Sequence, residues 1–536
     1  MTLKRTRLKS ELPKAATWSI APGAHASVAP NSQAAPALPD PLNLGATAPL
    51  TTTSKRRIQR RSTPLEVLQQ PLQAGVRKVF DLRRFLLVLA LTAVVLLLPT
   101  PTGLSSAGHR AFALFVFTAA ILALEPAPLP IASLLVPICQ IALGIDQVAG
   151  AFTPFSRPIV FLILGSLFLA EALRKHGLTR RLALYTIVGS RGSFPRLLLG
   201  LMIITALLSM WVLNTATAAV LIPVAIPIAQ CVQRKEDAQR ALKILILGVA
   251  YASGIGSLAT TMGSSENAIA SSLLNFSFLE WLKYGLPLTL IVLPLSWYLL
   301  LRAFDMSDIV IDTQPITKEI ERAGGLTSPE REIIVVLALS VGLWVIGPSL
   351  EKWLHLPATL LSSAVVALGS VVILSIEEVI DWNDLKGVNW GVFFVIGAGL
   401  TLGDALDKTG ASTWLANMLA PFLQGLPYGL ILGLLVLITY VLTQFMNSVT
   451  IAAIFAPILI SLGSSAGIAP TRLLLPTIFT LAFCYTLPVS SARMTLVAVT
   501  GVVERKDMLS TGLFVGLPSA LVVAFFFYLL SSFGLI

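Results

Sequence analysis

Long apolar segments dominate this sequence from Phe85 to its end and constrain its fold more than any other feature. A helix needs about 20 mostly apolar residues to cross a bilayer. Only 12% of the residues are charged and the mean hydropathy is +0.83, whereas soluble domains carry about 25% charged residues. The sequence therefore predicts an all-α integral membrane protein with about 11 transmembrane helices, and it argues against a water-soluble enzyme. The predicted spans are 84–99, 108–124, 129–145, 158–173, 241–258, 284–303, 332–348, 357–376, 389–405, 471–487 and 511–533.

Two further apolar runs, 195–232 and 427–466, are too long for one spanning helix, and a polar cluster interrupts each of them. The clusters are Asn214-Thr215-Ala216-Thr217 and Asn447-Ser448-Val449-Thr450. Non-helical backbone at membrane depth is tolerated only where it is buried in protein or lines a cavity. We therefore expect two re-entrant hairpins with these clusters at their tips. Segments 259–280 and 488–503 contain Gly, Ser or Pro breaks, and we expect them to continue the spans before them as broken helices.

The positive charge of the chain is concentrated at its N-terminus. Residues 1–84 hold fourteen basic and four acidic residues, which accounts for +10 of the formal net charge of +11. This pattern predicts a disordered basic tail at 1–83 and argues against a nucleic-acid partner. Basic residues accumulate in short cytoplasmic loops, so we expect a cytoplasmic N-terminus. An organelle transit peptide remains an alternative, but a bacterial inner membrane is favoured over a plastid inner envelope.

Basic loops on both sides of the run 195–232 support the hairpin prediction. If this run crossed the membrane once, one of the two loops would face outside, against the usual distribution of Lys and Arg. A run that enters and returns on the same side keeps both loops inside. The basic residues are Arg174, Lys175, Arg180, Arg181, Arg191 and Arg196 before the tip, and Arg234, Lys235, Arg240 and Lys243 after it.

An internal repeat divides the chain into two halves. The segment 172–177 matches 405–410, and the segment 213–217 matches 446–450, both at an offset of 233 residues. The predicted organisation is a first repeat at 84–303 with a leading helix and the first hairpin, a cytoplasmic linker at 304–331, and a second repeat at 332–536 with the second hairpin. Five crossings and one hairpin per repeat give the second copy the opposite orientation. Inverted repeats with broken helices are typical of secondary transporters, whose substrates bind between the repeats.

The hairpin tips and the breaks carry the side chains that we expect to bind a ligand. Free N–H groups at helix N-termini, together with neutral Asn, Ser and Thr side chains, suit an anion. Arg493 adds a group that can hold a carboxylate with two hydrogen bonds. The alternatives are that the tips are packing contacts between helices, and that Arg493 pairs with Glu266 or extends to the surface. The candidate substrate residues are Asn214, Thr215, Asn447, Ser448, Ser264, Ser491 and Arg493.

An enzymatic function finds little support in the sequence. Cys139, Cys231 and Cys484 lie far apart, and the four histidines do not cluster, so neither set predicts a disulfide framework or a metal site. An intramembrane enzyme is a remote alternative because no His lies near the polar breaks to activate a nucleophile. A membrane scaffold, in which the polar clusters only pack, is the remaining alternative.

The polar motifs resemble those of the divalent anion–sodium symporter family, which carries dicarboxylates, tricarboxylates or sulfate. That family has a Ser-Asn-Thr motif at each hairpin tip and a Gly-Thr-Pro-Pro-Asn-like break in each repeat. Here Asn214, Thr215 and Asn447 match the tips, and Gly263 and Asn267 match the first break. The resemblance covers about 85–535 and implies an elevator-type architecture: a homodimeric carrier in the lipid bilayer that moves a small anion by alternating access and needs no cofactor.

The resemblance also implies sodium sites beside each hairpin tip. The corresponding residues are Ser209, Asn214 and Gly263 in the first repeat, and Asn447 and Ser490 in the second. The motif serines are replaced by Leu213 and Met446. Sodium coupling, proton coupling and exchange of one anion for another therefore stay open. We expect a secondary transporter of divalent organic anions such as malate, succinate or 2-oxoglutarate, with sulfate as the alternative.

Overall fold

The computed structural model describes residues 80–536, except 305–308, 310, 313, 315–316 and 318–323. Nearly all of the predicted basic tail, and part of the predicted linker, therefore lie outside the described residues. The first half is built of helices: α1 Leu82–Leu97, α2 Ser106–Leu124, α3 Leu129–Ala142, α4 Val148–Phe152, α5 Pro158–Lys175, α6 Leu178–Gly189, α7 Phe194–Trp211, α8 Asn214–Gln230, α9 Lys235–Ser257, α10 Ser265–Leu274 and α11 Phe278–Phe304.

The second half repeats this order. Its helices are α12 Ser328–Leu354, α13 Ser363–Ile376, α14 Trp382–Lys386, α15 Gly391–Lys408, α16 Ala411–Leu423, α17 Tyr428–Phe445, α18 Ser448–Ala466, α19 Pro470–Thr480, α20 Ala492–Val499 and α21 Arg505–Ser532. Short 3₁₀ turns follow α4, at Thr153–Ser156, and lie within the second break, at Leu481–Phe483 and Pro488–Ser490.

The all-α membrane architecture is confirmed. Within the described residues, eight helices are long and apolar enough to cross a membrane, or nine if Val148–Ser156 and Pro158–Lys175, bent by 47°, form one span. Each of the eleven predicted spans coincides with a helix, although some of these helices are shorter than a full crossing. The sequence analysis missed α6 and α16, which lie between predicted spans at equivalent places in the two halves.

The first hairpin consists of α7 and α8, whose outer ends are held together by one short segment. The N–H of Ile311 donates to the carbonyl of Gly192 at 3.1 Å, just before α7, and the N–H of Asp312 donates to the carbonyl of Cys231 at 2.8 Å, just after α8. The indole of Trp297 donates to the carbonyl of Pro195 at 2.9 Å. The hairpin is therefore fixed to the C-terminal part of α11.

The second hairpin, α17 and α18, is fixed to the opposite end of α11. The hydroxyl of Tyr428, at the start of α17, donates to the carbonyl of Arg472 at 3.1 Å, shortly after α18 ends. Arg472 in turn donates to the carbonyl of Ile536 at 2.9 Å, and the hydroxyl of Tyr284 in α11 donates to the carbonyl of Leu535 at 3.4 Å. Tyr284 and Trp297 are separated along α11 by about 20 Å at 1.5 Å per residue. The two hairpins therefore enter from opposite faces, as the inverted repeat requires.

The helices pack in two groups. In one group α1 packs on α2, α3 on α15, and α5 and α12 on α13. In the other, both arms of the first hairpin pack on α9, α18 packs on α19, and α17 and α11 pack on α21. The groups meet where α10 and α18 contact α15. This arrangement brings the hairpin tips and the two helix breaks to the middle of the molecule.

Candidate functional site

The tip of the first hairpin is bound to the first break. Helix α7 ends at Trp211, Val212 has extended backbone, and α8 begins at Asn214. The N–H of Asn214 donates to the carbonyl of Gly263 at 3.0 Å. The hydroxyl of Thr260 donates to the carbonyl of Met210, at the end of α7. Backbone polar groups at the ends of the broken helices thus find hydrogen-bond partners between the tip and the break. Buried polar groups in proteins are nearly always hydrogen-bonded in this way.

The first break spans residues 258–264, and the side chain of Asn267 supports it from inside. The Asn267 amide donates to the carbonyls of Ser257 at 2.7 Å and Thr260 at 2.9 Å. Ser264, one of the predicted substrate residues, accepts the N–H of Asn267 at 3.3 Å and caps α10. The side chain of Ser264 therefore acts as the N-cap of α10 in this structure.

The second hairpin and the second break are joined by Gln444. Its amide oxygen accepts the N–H groups of Tyr485 and Thr486, both at 3.2 Å, and the hydroxyl of Thr486 at 2.9 Å. At the tip, Asn447 accepts the N–H of Val449 at 3.0 Å and caps α18. In each half a hairpin is therefore hydrogen-bonded to a helix break, but different residues form these bonds in the two halves.

A cavity of about 210 Å³ lies where the two tips and the two breaks meet. It contains six of the seven predicted substrate residues, all except Ser264, whose neighbours Ser265 and Glu266 line it instead. The predicted residues that line it are Asn214, Thr215, Asn447, Ser448, Ser491 and Arg493.

Six helices begin at this cavity: α3 at Leu129, α15 at Gly391, and four that belong to the hairpins and breaks. The first residues of these four, Asn214 of α8, Ser265 of α10, Ser448 of α18 and Ala492 of α20, all line it. A helix N-terminus presents free N–H groups and the positive end of the helix dipole. Four such ends around one small space form an environment suited to an anion.

Arg493 is the fixed cation of the site and is 2% exposed. Its guanidinium donates to the carbonyl of Ala482, contacts the sulfur of Cys484 at 3.1 Å, and lies 5.8 Å from the ring centre of Tyr485. It therefore does not extend to the surface. Its Nε is buried and has no hydrogen-bond partner among the residues that the structure describes.

Glu266 is bonded to the opposite half of the molecule. The hydroxyl of Ser448, at the second hairpin tip, donates to Oε1 of Glu266. Among the ion pairs of the described residues there is none between Glu266 and Arg493, so the pairing considered as an alternative is wrong. Both charged side chains nevertheless line the same cavity.

The residues of the first predicted sodium site lie together around Gly263. A β-carbon at this position would lie 2.6 Å from the carbonyl oxygen of Ser257 and 2.7 Å from that of Ser209. The N–H of Asn214 is bonded to the Gly263 carbonyl, and the Ser209 hydroxyl donates to the carbonyl of Ser253 at 2.6 Å. These contacts leave no room for a side chain at Gly263 and place two carbonyl oxygens beside it, and carbonyl oxygens at unwound helix ends are the ligands that transporters use for sodium.

The equivalent space in the second half is occupied by donors of the protein. The Ser490 hydroxyl donates to the carbonyls of Leu487 at 2.6 Å and Cys484 at 3.3 Å. Arg493 donates to the carbonyl of Ala482. A charged guanidinium therefore donates to a carbonyl of the second break, whereas the donors to the carbonyls of the first break are neutral amides.

Two acidic residues at equivalent positions of the repeats, Glu171 and Asp404, make ion pairs with nearby arginines. Glu171 binds Arg174 one turn later, with Nε 2.8 Å from Oε2. Asp404 binds Arg157 at 2.6 Å and links α15 to the start of α5. Neither acid lines the central cavity.

The family of this chain follows from its sequence over nearly its whole length. The family model described as the sodium:sulfate symporter transmembrane region matches residues 81–531. The chain belongs to this family.

Individual relatives support membership of the sodium:sulfate symporter family. A sodium-dependent dicarboxylate transporter of Staphylococcus saprophyticus is 28% identical over 465 residues, which cover 82% of this chain and 89% of the relative. An uncharacterized transporter of Haemophilus influenzae is 32% identical over 424 residues, or 78% and 90% of the two chains. The chain is thus a multi-pass membrane protein of a transporter family, and these relatives are transporters and not enzymes.

A solved structure shares the fold of this symporter family member. The crystal structure of the YdaH transporter of Alcanivorax borkumensis aligns with a TM-score of 0.50 at 14% identity. The alignment covers 85% of this chain and 98% of the other. At this identity the likeness supports the fold alone.

The central cavity adjoins further cavities on the side of the first hairpin. The cavity shares Thr215, Asn389 and Ala492 with an adjoining cavity of about 520 Å³, which shares Arg174 and Thr179 with another of about 440 Å³. This series ends near the outer end of the first hairpin. A separate cavity of about 780 Å³ on the other side shares no lining residue with the central one.

Sequence reasoning missed three residues of the site. Asn389 lines both the central and the adjoining cavity, Gln444 supports the second break, and Gly254 lies against Arg493. A polar Gln three residues before Asn447, inside an apolar run, is a signal that could have been used. Gly254 starts the Gly- and Ser-rich segment that leads into the first break, but its contact with Arg493 depends on tertiary packing.

Proposed function

We propose that this chain is a secondary active transporter of divalent organic anions, with dicarboxylates such as succinate, malate or 2-oxoglutarate as substrates. The observation that carries the proposal is the convergence of four helix N-termini on one cavity that contains Arg493. One carboxylate binds between the amide and hydroxyl groups of Asn214 and Thr215. The other binds between those of Asn447, Ser448 and Ser491. The sodium-dependent dicarboxylate transporters among the relatives support this substrate class.

We propose an elevator mechanism for the transport step. The hairpins and the broken helices would move as one body against the group that includes α3, α5, α13 and α15. The adjoining cavities on the side of the first hairpin support an inward-open state, with the basic loop around Arg174 on the cytoplasmic face. The second hairpin closes the opposite side in this state. The proposal includes a cytoplasmic N-terminus and a homodimer in a bacterial inner membrane.

We propose sodium as the coupling ion at the first break only. The carbonyl oxygens that lie close to Gly263 support a sodium ion there, held by Asn214 and by the carbonyls of Ser209 and Ser257. In the second break the charge of Arg493 takes the place of a second cation. Exchange of one anion for another remains the alternative coupling, and it predicts uptake that needs anion inside the vesicle and not sodium outside.

The test is uptake of radiolabelled succinate, malate, 2-oxoglutarate and sulfate into proteoliposomes, with and without an inward sodium gradient. We expect uptake of at least one dicarboxylate and strong stimulation by sodium. Asn214→Ala and Asn447→Ala should each reduce uptake at least tenfold. Asn417→Ala, an exposed asparagine on α16, is the matched control and should transport like the wild type. If both site variants take up every tested dianion normally, the site is wrong.

Sulfate is the second candidate substrate because the matched family model is described by sodium:sulfate symport. A single small dianion would be held by Arg493 and the helix N-termini without bridging both hairpin tips. Sulfate transport therefore predicts a loss of uptake for Arg493→Gln that is much larger than for either asparagine variant. Uptake of sulfate and not of dicarboxylates in the same panel would favour this second candidate.

A further inference from the structure

Glu266 and Arg493 are, of the residues that the structure describes, the two ionisable ones that line the central cavity. Glu266 is the second residue of α10 and is 8% exposed. Its Oε1 accepts the hydroxyl of Ser448. Neither the proposed substrate contacts nor the proposed sodium site uses this carboxyl group.

The carboxyl group of Glu266 lacks a cationic partner within the described part of the chain. Arg493 is directed to the carbonyl of Ala482 and the sulfur of Cys484, and it makes no ion pair with Glu266. A buried charge without a partner is costly. The N-terminus of α10 offsets part of this cost while the cavity holds no anion.

Charged groups on the neighbouring helices are engaged elsewhere. Helix α10 packs against α18, which carries no titratable residue, and against α5, α15 and α19. None of the charged residues of these helices lines the cavity. They are Glu171, which pairs with Arg174; Lys175, which pairs with Asp384; Asp404, which pairs with Arg157; Asp407, which is exposed; Lys408, which pairs with Asp146; and Arg472, which binds Ile536.

A dianion that enters this cavity meets the Glu266 carboxylate at close range. Two like charges in one low-dielectric site disfavour each other, and the carboxyl group relieves the repulsion by binding a proton. The proton comes from a hydronium ion of the solvent through the adjoining cavity, which shares Thr215 and Asn389 with the site; one O–H bond of the hydronium breaks and a water molecule is left. An O–H bond then forms on Glu266, and this hydroxyl can donate to an oxygen of the bound anion.

We propose that Glu266 is a proton-coupling site: it binds one proton when a dianion binds, and it carries that proton across the membrane with the anion. This inference rests on the proposed function. Release reverses the step, because departure of the dianion favours the ionised carboxyl group again and the proton returns to water. The Ser448 hydroxyl then donates to the carboxylate as in the present structure.

The test is proton uptake by purified protein in weakly buffered detergent solution at constant sodium, read with a pH indicator while succinate is added. Succinate affinity is measured in parallel by calorimetry between pH 6 and pH 8. The wild type should take up about one proton per bound succinate, and its affinity should rise as the pH falls, by up to about tenfold per pH unit. Glu266→Gln, which imitates the protonated form, should bind succinate with no proton uptake and no pH dependence. Glu504→Gln, an exposed carboxyl group outside the cavities, is the control and should behave as the wild type.

The outcomes separate this inference from the proposed function. Succinate binding without proton uptake by the wild type overturns the proton site and leaves dicarboxylate transport intact. Proton uptake that persists in Glu266→Gln also overturns it. A wild-type protein that binds none of the four dianions of the panel overturns both proposals. Glu266→Asp, which keeps a carboxyl group, should retain proton uptake. This variant keeps the proposal testable if the Gln variant misfolds and loses binding.

Discussion

Gly254 and Arg493 are in direct contact: a β-carbon added at Gly254 would lie 2.5 Å from Nη1 of Arg493. Gly254 belongs to α9 in the first half, and Arg493 belongs to the second break. One turn before Gly254, Tyr251 stacks on Tyr485 with ring centres 4.0 Å apart. The two halves therefore interlock at the position where the charge of the site is held.

Gly254→Ala should destabilise the protein and impair transport. The added methyl group must displace the guanidinium of Arg493, and overpacking of this kind costs about 1–3 kcal/mol. We expect a lower midpoint of thermal unfolding in detergent and at least a tenfold loss of uptake. Gly433→Ala is the control, because a β-carbon at that helical position meets no atom of the described residues within 4 Å. An unfolding midpoint equal to that of the control would show that the guanidinium is free to move.

Gly263→Ala should remove the stimulation of transport by sodium. Its methyl group would lie 2.6 Å from the carbonyl oxygen of Ser257 and 2.7 Å from that of Ser209, and it would displace these two proposed ligands of the ion. The measurement is the dependence of uptake on sodium concentration, which should flatten in the variant. Gly342→Ala, at an open helical position, should keep the wild-type curve. For the wild type, one sodium per cycle predicts a Hill coefficient close to one, and a value near two would argue for a second site.

Gln444→Leu should unfold the second break. The substitution leaves the buried N–H groups of Tyr485 and Thr486 without their acceptor, and each unsatisfied group costs about 1–3 kcal/mol. We expect faster hydrogen exchange at 481–490 by mass spectrometry. Gln424→Leu, at an exposed position after α16, should leave exchange there unchanged. Normal protection of 481–490 in Gln444→Leu would contradict the assigned role.

The ion pair of Asp146 with Lys408 should contribute to stability at neutral pH and not in acid. The hydrogen bond from Lys408, 2.8 Å long, lowers the pKa of Asp146, which lies between α3 and α4 outside the spans. A carboxyl group whose pKa is lowered by folding stabilises the folded protein at pH values above its unfolded pKa of about 3.9. This contribution is lost as the pH falls through the pKa of the folded state. Asp146→Asn should therefore lower the unfolding free energy at pH 7 by at most about 1 kcal/mol. Below about pH 4 the difference should shrink.

The hairpins were predictable because polar backbone inside an apolar run is tolerated in a membrane only where the broken helix is buried in protein or lines a cavity. The constant offset between Asn214 and Asn447 then related the two halves. Most span positions followed from apolar length alone. Helices α6 and α16 were missed because their residues are more polar or lie beside Gly, and their helicity depends on packing against neighbouring helices.

The partners of the charged residues were not predictable from the sequence. Equivalent positions in the two breaks suggested a contact between Glu266 and Arg493, but the partners are Ser448 and the carbonyl of Ala482. Which donor reaches which acceptor is decided by the mutual placement of four broken helices. Sequence spacing along each helix does not contain that information.

The burial of Arg493 has a consequence for the membrane potential. A guanidinium is permanently charged and cannot dissociate from the carrier. On the proposed coupling, the Glu266 carboxylate balances this charge in the empty carrier, and one sodium ion and one proton balance the dianion in the loaded carrier. Both crossings are then neutral, so the voltage, worth about 2.3 kcal/mol per charge at 100 mV, neither drives nor opposes them. On the proposed stoichiometry, the accumulation of substrate is set by the concentration gradients of sodium and protons alone.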